Sequence, residues 1–230
     1  MTKPTKLMFD LSHNDPLPTS SYAADQALFL QARQGGWPVM VHKLSQGASF
    51  PDPVALGRLK YAAAAGLFLG GYHFMTAEPV SSQVANFMHV AGQANHIIAP
   101  APLMLCLDNE PGPDNPVPAM SVPTATTDAA AAEFVTAVYH ATGIWPLVYG
   151  GRYNFFSAAT LGNLAACPLW LAEYGANPVC PPGWLNWRFH QYSDGQEGPN
   201  PVSIPGIGLV DQSEFAGNQG DLAALFASLK

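Results

Sequence analysis

The sequence predicts an α/β fold: a barrel of mainly parallel strands covered by helices, made of five strand–helix units and closed irregularly by three further strands. A single domain over residues 1–230 is expected. Three observations predict this. Short apolar segments recur along the chain with helical stretches between them. The segments are apolar at successive rather than alternate positions, as strands buried on both faces of a parallel sheet are. Past residue 165 the full helical stretches cease while the apolar segments continue.

The elements follow in order. "KLMFDL" (6–11) reads as the first strand, and the amphipathic stretch 21–34 as a helix stopped at Gly35-Gly36. "PVMVHKL" (38–44) is the second strand, and an alanine-rich helix over 53–65 ends at Gly66. "LFLGGYHF" (67–74) is the third strand, with a helix over 80–95. "PLMLCLDNE" (102–110) is the fourth. A Pro-rich loop over 111–123 leads to a helix at 125–142, with Thr126, Thr127 or Asp128 as candidate caps. "WPLVYG" (145–150) is the fifth strand, followed by a short helix near 156–165. "PLWLAEY" (168–174), "WRFHQY" (187–192) and "IGLVDQ" (207–212) are three more strands, and a last helix covers 220–229. No internal repeat, low-complexity segment or linker interrupts the pattern.

Composition narrows the function. Of 230 residues, 48% are hydrophobic and only 11% are charged, which describes a chain with a large core. A chain of this length buries roughly 70% of its unfolded surface and needs no metal or disulfide staple. The net charge of −7 argues against nucleic acid, whose phosphates demand Lys and Arg, and against an anionic membrane. Three cysteines are too few for a disulfide scaffold. Cys106 reads as a small buried hydrophobe, and Cys167 and Cys180 pair only if the fold joins them. The opening "MTKPTKLMFDLSHND" lacks a long apolar run, so no signal peptide is expected, and no stretch is long enough to span a bilayer.

Parallel α/β folds carry their chemistry at the carboxyl ends of the strands. The strands end, in order, with Asp10, Ser12 and His13; His42 and Lys43; Tyr72, His73 and Phe74; Asp108 and Glu110; Tyr149; Glu173 and Tyr174; His190, Gln191 and Tyr192; and Asp211. The chain has 16 acidic residues, and at least four of them stand at this rim. Alternation along a strand puts Asp108 and Glu110 on one face, with backbones roughly 6.5–7 Å apart, and turns Asn109 away. Two close carboxylates in a partly apolar site do not both stay ionised. A protonated acid beside an ionised partner is what glycosidic cleavage requires. D-x-E also arises by chance, and a solvated strand end is the bland alternative.

The segments "FDLSH", "GYHF", "LDNE", "PLVYG", "LWLAEY", "HQYSD" and "GLVDQSEF" occur in this order. The series resembles the glycoside hydrolase family 25 muramidases, lysozymes of the Chalaropsis and phage-endolysin type, over residues 7–217. The resemblance implies an irregular TIM-like (β/α)5β3 barrel. It also implies hydrolysis of the β-1,4 bond between N-acetylmuramic acid and N-acetylglucosamine in peptidoglycan, without a cofactor. It makes Asp10, Asp108, Glu110 and Asp211 the acidic quartet. Glu110 would be the general acid, and Asp108 would assist the 2-acetamido group of the substrate. Asp10 and Asp211 would hold the pair and raise the proton affinity of Glu110 by like charge. Retention by substrate assistance and inversion by water both fit. The family often carries "K-x-T-E-G" after strand 2, where this chain reads "KLSQG", with Gln46 in place of the acid.

Aromatic residues suit a sugar ligand, whose CH faces stack on rings. Tyr72, Tyr149, Trp170 and Tyr174, with Gln191, are the candidate substrate contacts. Tyr192 lies in the same zone, Trp170 and Phe74 fit core packing equally well, and Trp184 and Trp187 read as loop anchors. The partner expected is the glycan strand of peptidoglycan, attacked by a monomer acting on the cell wall, whether secreted, periplasmic or phage-released. Two rival classes remain. His13, His42, His73 and His190 with Asp10, Asp108 and Asp211 would be the ligands of a metal-dependent amidase or deacetylase, though no H-x-H or H-E-x-x-H spacing is present. The other is a catalytically inactive wall-binding module.

Overall fold

The computed structural model describes residues 5–19, 21–110, 125–152, 154–155, 159–174, 177–198 and 202–229. The expected 111–123 loop lies outside them. Nine strands are described: β1 (Thr5–Leu11), β2 (Val39–Gln46), β3 (Phe50–Pro51), β4 (Phe68–Phe74), β5 (Leu103–Asp108), β6 (Leu147–Gly151), β7 (Leu169–Ala172), β8 (Phe189–Ser193) and β9 (Gln212–Phe215). The helices are α1 (Tyr22–Gln34), α2 (Ala55–Ala64), α3 (Val80–Ile98), α4 (Ala125–Thr142) and α5 (Gln219–Ala227). The order β1-β9-β8-β7-β6-β5-β4-β2, with β1 also paired to β2, closes an eight-stranded barrel, and β3 is a short flap on β2.

The strands are apolar on both faces because each packs two cores. Phe9, Met40, Leu44, Leu69, Leu107, Val148 and Leu171 face the surrounding helices. Met8, Val39, Val41, Met104, Cys106, Leu147, Trp170, Phe189 and Phe215 fill the interior, together with Leu222 and Phe226 of α5. Phe226 stacks on Phe68 at the amino end of β4, with ring centroids 4.7 Å apart, so α5 plugs the barrel floor. Among the described residues no helix is long and apolar enough to cross a membrane.

Local signals place most helix ends. Ser21 accepts from the Ala24 amide at the start of α1, and Asn218 and Asp221 form a reciprocal cap on α5. The chain leaves α2 through Gly66 at φ 78°, a left-handed conformation that favours glycine. Other expectations need correction. Thr126, Thr127 and Asp128 lie within the first turn of α4 rather than before it. Asp128 instead accepts from Thr160 Oγ1 at 2.7 Å. The short helix near 156–165 is a 3-10 turn at Gly162–Ala166, and residues 156–158 lie outside the description. Cys106, Cys167 and Cys180 are all free thiols.

The largest correction concerns the last strand. The apolar "IGLVDQ" suggested a strand over 207–212, but the strand is Gln212–Phe215 and it runs antiparallel to both β8 and β1. Only an antiparallel strand can present its amino end at the mouth formed by the carboxyl ends of its neighbours. Asp211 therefore reaches the mouth by preceding β9, not by ending a strand. Its carbonyl accepts from the Asp10 amide at 3.3 Å.

Candidate active site

At the mouth the interior positions turn from apolar to polar. The same alternation that sends Met8, Val41, Cys106, Leu147 and Phe189 inward sends Asp10, Lys43, Asp108, Tyr149 and Gln191 inward two residues later. Glu110 follows Asp108 on the same face, just beyond the end of β5. Asp10, Tyr72, Asp108, Glu110, Tyr149, Trp170, Gln191 and Asp211 line one cavity of about 50 Å³. That is room for one or two waters at about 30 Å³ each, so these groups form the floor on which a larger ligand would rest.

The end of β5 is held from both sides. The Met75 amide donates to the Asp108 carbonyl at 3.0 Å, and the Asn109 amide to the Tyr149 carbonyl at 2.9 Å. Gly150 permits this approach, since a Cβ there would stand 2.8 Å from the Asn109 carbonyl oxygen. Across the cavity, the hydroxyls of Tyr149 and Tyr174 donate to Gln191 Oε1 at 2.9 and 3.1 Å. Gln191 Nε2 in turn donates to Asp10 Oδ2 at 3.3 Å. The chain of bonds orients Asp10 and leaves Tyr174 at the exposed rim, 41% accessible.

The electrostatics differ from the expectation in their cause. Glu110 is pushed up from 4.5 to about 7, first by burial and then by the charge of Asp211, while Lys43 pulls the other way. Asp10 is absent from these causes, so like charge from Asp10 is not what holds the proton on Glu110. Burial also pushes Asp108 well above the usual carboxylate range, with the charge of Glu110 second. Asp10 is raised by burial and then by Asp211. Asp211 reaches about 6 through burial and then Asp15, with a hydrogen bond from Asp10 acting to lower it. Four carboxyl groups thus share a pocket that favours protons, as sites of acid catalysis do.

Eight of the nine candidate residues line the cavity itself, and Tyr174 joins them through Gln191. Trp170 combines its two readings: it is 2% exposed, its Nε1 donates to Ser213 Oγ at 3.0 Å, and its ring forms part of the floor. Trp184 anchors its loop by donating to the Cys167 carbonyl at 2.8 Å. Tyr192 is set apart and donates to Gln212 Oε1 at 3.1 Å. Sequence reasoning noted Lys43 at a strand end but gave it no role, although it continues the inward series of Val39 and Val41.

The histidines do not converge. His42 packs against Arg58 of α2, at 3.3 Å. His73 bonds Ser45 and Gln83 and stacks on Phe134 of α4. Burial lowers both to about 4, so both are neutral at pH 7. His13 pairs with Asp52, and His190 with Glu214 and the Glu173 carbonyl. Among the described residues no group of three or more His, Cys, Asp or Glu has metal-binding geometry.

The sequence profile described as glycosyl hydrolases family 25 matches residues 18–200. The chain belongs to glycosyl hydrolases family 25. The matched segment contains Asp108 and Glu110, whereas Asp10 and Asp211 flank it and join the family 25 site through the closure of the barrel. Among solved structures, the bacterial lysozyme from Streptomyces coelicolor is 21% identical with a TM-score of 0.75, and each chain covers 100% of the other. The muramidase from Trichobolus zukalii is 26% identical with a TM-score of 0.68, covering 96% of this chain and 98% of that one. A family GH25 lysozyme from Aspergillus fumigatus is 23% identical with a TM-score of 0.71, covering 97% and 99%. Comparison with curated proteins returns no match.

Proposed function

We propose that this family 25 glycoside hydrolase is an N-acetylmuramidase, one catalytic domain acting on the glycan strands of the cell wall. The observation that carries the reading is the meeting of Glu110 and Asp108 with Asp10 and Asp211 in one cavity. Glu110, protonated near neutrality, gives its proton to the oxygen of the β-1,4 bond as that bond breaks. The 2-acetamido oxygen of the muramic acid attacks the anomeric carbon, and Asp108 orients and polarises that group through its N–H. Glu110, now a carboxylate, takes a proton from the incoming water, whose oxygen opens the cyclic intermediate. Asp10, bonded to Gln191 and Asp211, forms the rest of the cavity wall, and the charge of Asp211 helps keep the proton on Glu110. Tyr72, Tyr149, Trp170 and Tyr174 offer ring surface to the sugar. Past the ends of β2 and β4, a trough of about 490 Å³ lined by Gln46, Ser49, Phe50, Thr76 and Glu78 has the volume for a further ligand unit.

Mass spectrometry of fragments released from purified peptidoglycan tests the reading. Fragments with reducing-end N-acetylmuramic acid are expected. Reducing-end N-acetylglucosamine, freed stem peptides or bound wall material with nothing released would each overturn it. Activity lost on chelation and restored by zinc would restore the amidase reading, against which the dispersed histidines weigh.

A further inference from the structure

The pairing of β2 with β4 contains an irregularity beside the site. Lys43 stands opposite Tyr72, Ser45 opposite His73 and Gln46 opposite Phe74. One step along β4 therefore spans two along β2, which is a β-bulge at 44–45. In a regular strand, residues three apart face opposite sides of the sheet. The bulge cancels that rule, as bulges near active sites re-aim side chains. Leu44 joins the helix-side core, and Ser45 bonds His73 Nδ1 at 2.8 Å on the same outer side. Lys43 and Gln46 then emerge together at the mouth, and Lys43 Nζ donates to Gln46 Oε1.

The ammonium reaches beyond its own rung. It lies 4.8 Å from the centroid of the Phe74 ring, and Phe74 is the strand partner of Asp108. Lys43 is only 5% exposed. A buried ammonium is costly away from negative charge, and Lys43 stands opposite Tyr72, which lines the cavity together with the four carboxyl groups.

We propose that Lys43, held by Gln46, which the β2 bulge turns to the same face, is a positioning residue for the muramidase reaction, its ammonium stabilising the single negative charge that the Asp108–Glu110 pair carries while the other carboxyl keeps its proton. The inference rests on the function proposed above. The other titratable groups around the mouth are acids and phenols: Asp10 from β1, Tyr72 from β4, Tyr149 from β6, Tyr174 past β7 and Asp211 before β9, with Asp15 and Asp194 acting on Asp211 from further out. Asp211 and the mutual charge of the pair favour protonation. Lys43 opposes them, pulling Asp108 and Glu110 alike toward the ionised form. Without it the pair would hold both protons to higher pH, and Asp108 would lack the charge that polarises the acetamido group.

The test compares pH–rate profiles on peptidoglycan for the unaltered protein, Lys43→Met, Lys43→Arg and Gln46→Glu, together with 13C NMR titration of the mouth carboxyl groups. Removing the cation favours the protonated forms, so both limbs of the profile should move to higher pH in Lys43→Met, by about one unit or more. Gln46→Glu sets a carboxylate on the ammonium and should move both limbs the same way by less. Lys43→Arg should keep the original limbs. Limbs unmoved or moved to lower pH in folded Lys43→Met overturn the proposal. If that variant does not fold, Gln46→Glu decides on the same criterion. If the unaltered protein releases no muramic reducing ends, the muramidase reading is what fails, and the NMR titration still reports whether Lys43 acts on the carboxyl pair.

Discussion

The floor and the mouth of the barrel interior are built by the same strands at the same alternating positions, and they have opposite character. Two residues separate Met8 from Asp10 on β1, Val41 from Lys43 on β2, Cys106 from Asp108 on β5 and Phe189 from Gln191 on β8. At the floor, Phe226 and Leu222 of α5 close over apolar side chains, and burial is favourable throughout. At the mouth, burial acts on carboxyl groups and drives them toward their protonated forms. One end contributes stability, while the other gives up stability to hold a proton where chemistry needs it.

The sharpest way to separate the two ends is Glu110→Gln. Release of reducing ends should fall by about 10²–10⁴-fold, the usual worth of general acid catalysis. The melting temperature should stay level or rise, because a buried ionisable group has been removed. Full activity in this variant would place the acid elsewhere.

Phe226→Ala should do the reverse. Truncating a fully buried phenylalanine at the floor should cost about 3–5 kcal/mol in urea unfolding. The turnover of the molecules that remain folded should be unchanged, and a large fall in their kcat would deny that the ends act independently.

The pH dependence distinguishes them more gently. Glu110 holds its proton more tightly when folded, at about 7, than at its ordinary 4.5. Stability from this group is thus greatest at low pH and declines as pH rises from 4.5 to about 7. Activity should fall as pH rises past about 7, where the acid loses its proton. Melting curves of Glu110→Gln across this range should show a shallower decline than those of the unaltered protein.

Tyr149→Phe should have the smallest effect. It removes one hydrogen bond to Gln191 while the Tyr174 bond remains, so about 1 kcal/mol of stability should be lost. A far larger loss of activity would show that the Tyr149 hydroxyl meets the substrate directly.

The mouth was unusually legible along β5. An apolar run ending in Asp108 and Glu110 specifies a buried strand whose last inward positions are acidic, and simple alternation places both in the cavity. Asp211 was legible as a rim acid but for the wrong reason, because strand direction depends on which neighbours a strand pairs with. Lys43 follows the plain alternation of Val39 and Val41, but Gln46 was hidden by the bulge, which changes the face of a side chain without any mark in "VMVHKLSQ". The strand-end histidines looked equivalent to the acids by position, yet His42, His73 and His190 occupy the alternate, outward parity.

By itself the sequence determined the alternation of strands and helices, the two-sided burial of the strands and the residue types at their ends. These are properties of short segments, set by periodicity and by the burial of apolar side chains. The tertiary structure decided that β9 runs antiparallel, that α5 seals one end, and that four acids from three distant segments meet in one small cavity. It also decided why Glu110 keeps its proton: chiefly through loss of water around it, which a list of charged neighbours does not contain, because desolvation depends on everything packed nearby.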